Sequence, residues 1–278
     1  MRVDVVTLFP ELFGPFFDLS FVGRARSQGT LVTRTRSPRD FGLGKHRSVD
    51  DTPYGGGSGM VMRVDCLVDA LESLDADAPD GLRAHRVLLT PAGSPFTQAH
   101  AAALSQRPAL ALICGRYEGF DARLESFVDE QISLGDFVMT GGEVAAMALI
   151  EATVRLLPGV LGNEESSRDE SHSPATGGLL EYPQYTRPLT YRGHEVPEVL
   201  RQGNHAAIAA WRHAQARALT GVRRPELLAA HDAAHPPPPP KKARRRKPPA
   251  ATPVVPTPPA PGGATGDDGE GGTPPETP

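Results

Sequence analysis

Between residues 109 and 142 the chain twice hands over from an apolar or mixed run to a cluster of glycines, and this constrains its fold more than any other feature. The first run, Ala109 to Ile113, ends at Cys114-Gly115-Arg116-Tyr117-Glu118-Gly119. The second turn-rich stretch is Leu134-Gly135-Asp136-Phe137-Val138-Met139-Thr140-Gly141-Gly142. A helical pattern follows from Glu143 to Leu157, with Val144, Met147, Ala148, Glu151 and Arg155 near one face. Strands that stop at glycine before a helix are how α/β proteins offer main-chain N–H and C=O groups to a ligand. Glycine permits positive φ and close approach of the backbone. The same pattern also describes two ordinary strand-to-helix turns.

The preceding chain fits that architecture. Val3, Val5 and Val6 read as a strand stopped at Pro10, and residues 11–28 as one helix carrying Leu12, Phe16, Leu19 and Val22. Leu31 to Arg36 alternates as a strand, with Thr33 and Thr35 on one face and Arg34 and Arg36 on the other. Val64 to Leu74 reads as a helix, Arg86 to Thr90 as a strand stopped by Pro91-Ala92-Gly93, and residues 97–106 as a helix. Strands alternating with helices over residues 1–157 predict an α/β domain with a mostly parallel sheet.

Residues 158–183 are rich in Gly, Ser, Asp, Glu and Pro and read as a flexible linker. Helices are expected at Val196 to Arg201, Asn204 to Leu219 and Pro225 to His231, with Ala207, Ala210, Trp211 and Ala214 as an apolar stripe. From about Pro236 the chain is Pro- and Gly-rich low complexity, expected to be disordered. The organisation expected is therefore an α/β domain at 1–160, a linker at 161–183, a small all-α domain at 184–235 and a disordered tail at 236–278.

Two cysteines, Cys66 and Cys114, give neither a disulfide framework nor metal-ligand spacing and favour a reducing cytoplasm. The start lacks a signal peptide's apolar region, and no stretch approaches the length of a membrane span. Net charge is −4; without residues 236–278, which hold the basic cluster KKARRRK, 23 basic and 29 acidic residues remain. Any RNA site on the folded part must then be a local patch. Arg24 to Arg47, with seven Lys/Arg, His46 and the single acid Asp40, reads as a phosphate-contacting stripe or as plain solvated surface.

Three loops are expected to form a ligand site: Thr90-Pro91-Ala92-Gly93, Cys114 to Gly119, and Leu134 to Gly142. No G-x-G-x-x-G occurs, so a nicotinamide or flavin cofactor is not indicated. The four-glycine stretch DDTPYGGGSG at 50–59 is not a phosphate-binding P-loop, since no Lys-Ser/Thr follows it.

CGRYEGFDAR and SLGDFVMTGGE closely resemble the bacterial tRNA (guanine-N1)-methyltransferases, a knotted methyltransferase family. Further matches are SPRDF at 37–41, VDD through YGGGSGM at 49–60, LPGVLG at 157–162, YTRP at 185–188, GNHA at 203–206, and Trp211-Arg212 with RRPELL at 223–228. They run in order over about residues 1–230. The resemblance implies methyl transfer from S-adenosylmethionine to N1 of the guanosine immediately 3′ of the anticodon. It also implies a deep trefoil knot within about residues 86–160, a homodimer with composite active sites, and the tRNA anticodon stem-loop as partner.

Carried over residue by residue, the resemblance implies cofactor contacts at Pro91, Gly93, Gly115, Arg116, Tyr117, Glu118, Leu134, Gly135, Asp136, Phe137, Val138, Met139, Gly141 and Gly142. It implies RNA contacts at Arg24, Arg39, His46, Asp50 and Gly59, with Ser58 standing where the family usually has proline. Its catalytic arginine falls on Arg155. Its catalytic aspartate, followed by serine, falls on Glu170-Ser171, with Asp169 one residue earlier, so either acid is a candidate base. Methylating N1 requires a base to remove its proton and a cation or donor to stabilise charge developing on O6. The family also admits magnesium dependence, for which the sequence shows no dedicated ligands. Two other functions share the pattern: a related knotted ribosomal-RNA methyltransferase, against which the C-terminal matches speak, and an RNA-binding protein of the same fold without catalysis, against which the two intact glycine loops speak.

Overall fold

A computed structural model describes residues 1–162 and 170–236. In chain order its elements are β1 (Arg2–Val6), α1 (Phe13–Asp18), α2 (Ser20–Ser27), β2 (Val32–Arg36), β3 (Asp50–Asp51), β4 (Val61–Met62), α3 (Val64–Ala76), β5 (His85–Pro95), α4 (Gln98–Ser105), β6 (Ala109–Cys114), β7 (Glu130–Ser133), α5 (Glu143–Val154), β8 (Thr190–Tyr191), β9 (His194–Glu195), α6 (His205–Arg223) and α7 (Pro225–Ala234). The five long-range strands form one sheet in the order β2-β1-β6-β5-β7. All four pairings are parallel.

Strand alternation divides the core into two layers. Val3 and Val5 of β1, Val87 and Leu89 of β5, and Leu110 and Leu112 of β6 face Phe13, Phe17, Val22, Leu104, Leu149 and Ile150 from α1, α2, α4 and α5. Val6, Leu88, Ala111 and Ile113 face the other way, onto Leu67, Leu71 and Leu74 of α3. Because both faces are covered, the central strands read as nearly continuous apolar runs.

One charged cluster interrupts the α3 side. Asp4, wholly buried, accepts from Arg2 Nε at 3.0 Å and from Arg34 Nε and Nη2 at 2.7 and 2.8 Å. Arg34 Nη2 also donates to the Leu74 carbonyl at 2.7 Å, tying the end of α3 to the sheet. Asp4 holds the Arg34 guanidinium above its ordinary pKa, mainly through that hydrogen bond.

Three sequence expectations need correction. The single helix over 11–28 is a 3-10 turn and two helices, broken where Leu19 becomes extended and Ser20 takes a positive φ. A Cβ on Gly23 would lie 2.4 Å from the Asp18 carbonyl oxygen, so the restart of α2 depends on glycine there. Second, Pro91-Ala92-Gly93 does not end β5. The strand bulges between Leu89 and Ser94 and then resumes pairing with Ile132 and Ser133 of β7. Pro91 sits inside the bulge, where its missing N–H costs no ladder bond. Third, Ala210 and Ala214 of the expected α6 stripe are exposed; the inward face carries Ala207, Ile208, Trp211, Ala216 and Thr220. Ala207 and Trp211 lie where the stripe put them, and Ala210 and Ala214 do not. The small β8–β9 hairpin was not foreseen, and the tail expected at 236–278 lies, apart from its first residue, outside the described residues.

Candidate functional site

The C-terminal ends of three neighbouring strands, β6, β5 and β7, open into a cleft of about 360 Å³. Of the expected cofactor residues, Pro91, Gly115, Arg116, Tyr117, Glu118, Leu134, Phe137, Val138, Met139, Gly141 and Gly142 line it. Gly93, Gly135 and Asp136 do not. A Cβ on Gly93 would meet the Ile132 main-chain nitrogen at 2.5 Å, so Gly93 closes the β5–β7 bulge. Gly135 has φ +156° and accepts from Ser133 Oγ at 3.1 Å, shaping the turn after β7. Asp136 is exposed. Leu88, Ile132 and Ala145 complete the apolar floor; as ordinary core residues, they carried no sequence signal beyond their place at strand and helix ends.

Two of the loops are bolted together. Gly142 N–H donates to the Gly115 carbonyl at 3.0 Å, and a Cβ on Gly142 would stand 2.9 Å from Cys114 Cα. The Arg116 guanidinium reaches Glu143 at 3.0 Å and lies 4.5 Å over the Phe9 ring. Glu143 is 2 % exposed and also accepts from Thr7 Oγ1 at 2.9 Å. Arg116 therefore spends its charge as a clamp between the loop after β6 and the start of α5. Among the expected cofactor residues, it reaches the cleft as lining rather than as a free cation. Cys114 beneath this clamp is wholly buried; burial first, and the Glu143 charge second, push its thiol well above the ordinary range. It stays a protonated packing residue.

The glycine-rich loop at 50–59 leads into residues that pack against the segment walling the cleft. Glu118 N–H donates to the Met60 carbonyl at 3.0 Å, and Met62 N–H to the Gly119 carbonyl at 2.9 Å. A Cβ on Gly59 would fall 2.4 Å from Glu118 Cγ, which places Gly59 against the cleft wall. Asp50 lies half-buried in β3 at the base of this loop. The expected basic stripe divides. Arg34 and Arg36 are committed to Asp4 and Asp77, and Arg26 pairs with Asp18. Arg24 Nη1 donates to the Val160 carbonyl at 3.4 Å and its guanidinium lies 5.4 Å over the Phe21 ring, while Arg39 and His46 are exposed. The alternation of β2 sends Arg34 and Arg36 to one side, where acids meet them.

Arg155 and Glu170 are brought together. Arg155 Nη1 and Nη2 donate to Glu170 Oε2 and Oε1 at 2.7 and 2.6 Å, a two-pronged pair held half-buried. The Glu170 hydrogen bond raises the pKa of Arg155 above its ordinary value. Glu170 is positioned by its own turn, its carbonyl accepting from Ser173 N–H at 3.2 Å. Asp169 lies outside the described residues. The pair does not join the cleft of its own chain. Gly142, at the cleft, and Arg155 cap opposite ends of α5, which separates them by about 20 Å at 1.5 Å per residue.

Among the described residues no group of three or more His, Cys, Asp or Glu is arranged to hold a metal ion. No helix among them is long and apolar enough to cross a membrane. The family model described as tRNA (Guanine-1)-methyltransferase TrmD matches residues 1–230. A protein of Sorangium cellulosum named tRNA (guanine-N(1)-)-methyltransferase is 66 % identical over 245 residues, covering 82 % of this chain and 93 % of its own. Proteins of the same name from Frankia alni and Deinococcus radiodurans are 54 % and 52 % identical, each over 82 % of this chain and over 85 % and 80 % of their own. With a cleft at the ends of three parallel strands, an arginine–carboxylate pair beyond it and a match over almost all the described residues, this chain belongs to the tRNA (guanine-1)-methyltransferase family.

Proposed function

We propose that the protein methylates N1 of the guanosine immediately 3′ of the anticodon in tRNA, using S-adenosylmethionine, as a cytoplasmic homodimer. The observation that carries the assembly is the separation along α5: a base and cation at one end, a cofactor-sized cleft at the other. One copy's Arg155–Glu170 pair then serves the cleft of a second copy. Exposed Phe137, Val138 and Val144 around the cleft supply apolar surface for that contact.

The cleft suits the cofactor in size and chemistry. Its volume is in the range of small-molecule sites, and four glycines (Gly115, Gly119, Gly141, Gly142) bring main chain to its wall. Glu118, in the cleft lining, offers a carboxylate for the cationic methionine end, and the backbone of the three loops would hold the adenine. Bound there, S-adenosylmethionine supplies an electrophilic sulfonium methyl. Glu170 accepts the guanine N1 proton, and Arg155, always charged and forked, donates to O6 as negative charge grows there. The target base leaves its stack to reach the cleft, at a cost of roughly a few kcal/mol.

The close packing of residues 141–143 against 114–116 supports a knotted path through about residues 86–160. The division into 1–160, a linker at 161–183 and a helical tRNA-binding part at 184–235 belongs to the same proposal. A groove of about 610 Å³ between α6, α7 and the turns before them, lined by Arg212, His213, Arg217 and His231, supports RNA contact there. The deciding experiment is transfer of labelled methyl from S-adenosylmethionine to a tRNA transcript carrying guanosine at the target site. Product mapped to N1 of that nucleotide is expected; cofactor binding without transfer would overturn the reading.

A further inference from the structure

Tyr54 is the most exposed large hydrophobic side chain among the described residues, at 101 %. It stands at the tip of a turn closed by Gly56 N–H to the Pro53 carbonyl, at 3.2 Å. Gly55, Gly56, Gly57 and Gly59 all have positive φ, from 78° to 143°, a path that residues with side chains rarely take. The turn is also anchored. Below it β3 pairs with β4, and Gly59, Met60 and Met62 grip the 116–121 segment that walls the cleft. A ring held in water on a fixed loop loses apolar burial without any return from the isolated chain. The chain just beyond the 116–121 segment carries Arg123, 71 % exposed. Arg123 is itself steadied by Asp121, which lines the cleft.

A fully exposed aromatic face on a loop anchored to the cleft wall has the chemistry of a nucleobase platform. Extruding the target guanosine deprives its neighbour of a stacking partner. We propose that Tyr54 stacks on the anticodon-loop base adjacent to the extruded guanosine and holds the gap open. Tyr54 is thus a substrate-positioning residue of the reaction. The inference rests on the tRNA-methyltransferase reading. Stacking is indifferent to base identity, because every base has a π face.

The test uses the full chain and a tRNA transcript carrying 2-aminopurine next to the target guanosine. Tyr54→Ala is expected to lower kcat/KM for tRNA on the order of tenfold, leaving S-adenosylmethionine affinity and the thermal midpoint unchanged. Tyr54→Phe and Tyr54→Trp are expected to restore it. The probe's fluorescence should be quenched on binding the wild type and Tyr54→Phe, and less so on binding Tyr54→Ala. If the wild type methylates and Tyr54→Ala matches it, the inference alone falls; it falls too if Tyr54→Phe is as impaired as Tyr54→Ala, since the ring would then be irrelevant. A wild type that binds cofactor and methylates no tRNA overturns the function reading and the inference together.

Discussion

Arg155 and Glu170 meet fork to fork, through contacts of 2.7 and 2.6 Å across fifteen residues of chain. The geometry shows what Glu170 is shaped to bind: two parallel N–H donors on a planar guanidine unit. The Watson–Crick edge of guanine presents that pattern through N1–H and the 2-amino group. In the absence of substrate, Arg155 occupies the carboxylate that the proposed reaction needs for N1. In the proposed reaction the substrate's edge takes over those acceptors, leaving Arg155 for O6.

If the two act as a unit, their losses will not add. Glu170→Gln keeps the shape and removes the charge; it is expected to lower single-turnover methyl transfer by roughly 100-fold or more. Arg155→Ala should do the same through O6. The double variant should be no worse than the poorer single one, with cofactor affinity unchanged throughout. Asp169→Ala is the matched control. Retained transfer in Glu170→Gln beside lost transfer in Asp169→Ala would move the base one residue back.

The sheet was legible because its strands are buried on both faces and bounded by glycine and proline. The cleft was legible because those glycines sit where parallel strands end. The reading failed where a local rule met a tertiary exception. Pro91 signals a strand end by losing an N–H, yet the bulge needs no donor from it. Leu12, Phe16, Leu19 and Val22 keep a helical spacing, yet Leu19 is extended, because nothing in a periodicity registers the close approach of Gly23 to Asp18. Arg34 and Arg36 looked like phosphate ligands until Asp4 and Asp77 stood opposite. That pairing depends on contacts 30 and 41 residues apart, which no window sees. Arg116, which the resemblance implies as a cofactor contact, does line the cleft, but the partners that engage its guanidinium, Phe9 and Glu143, come from distant parts of the chain.

Two glycines make a contrasting pair of probes. Gly93 faces the Gln131–Ile132 main chain with no room for a Cβ, and backbone atoms at 2.5 and 2.6 Å cannot step aside. Gly93→Ala is expected to cost about 1–3 kcal/mol or more, read as a lower urea midpoint, and to weaken cofactor binding by pulling β5 off β7. Gly14, in α1, has open space around it and no positive φ. Gly14→Ala should stabilise by about 0.5–1 kcal/mol through helix propensity and a less flexible unfolded chain. Equal effects at the two sites would contradict the bulge geometry.

The buried thiol beneath the clamp gives a prediction whose sign follows from proton linkage. In the fold Cys114 keeps its proton well above the ordinary value of 9.0, because burial disfavours the thiolate and Glu143 repels it. The unfolded chain releases that proton first, so it binds fewer protons than the folded protein as pH rises through about 9. This group therefore contributes no pH dependence to stability below that range and a progressive loss above it. Urea midpoints should fall between about pH 8 and 10, and less steeply in Cys114→Ala, which has no thiol to titrate. At about pH 8 a maleimide should leave Cys114 unmodified in the native protein and label it in denaturant. Rapid native labelling of Cys114 would show instead that the loops over it open readily, and that the Arg116–Glu143 clamp does not hold them closed.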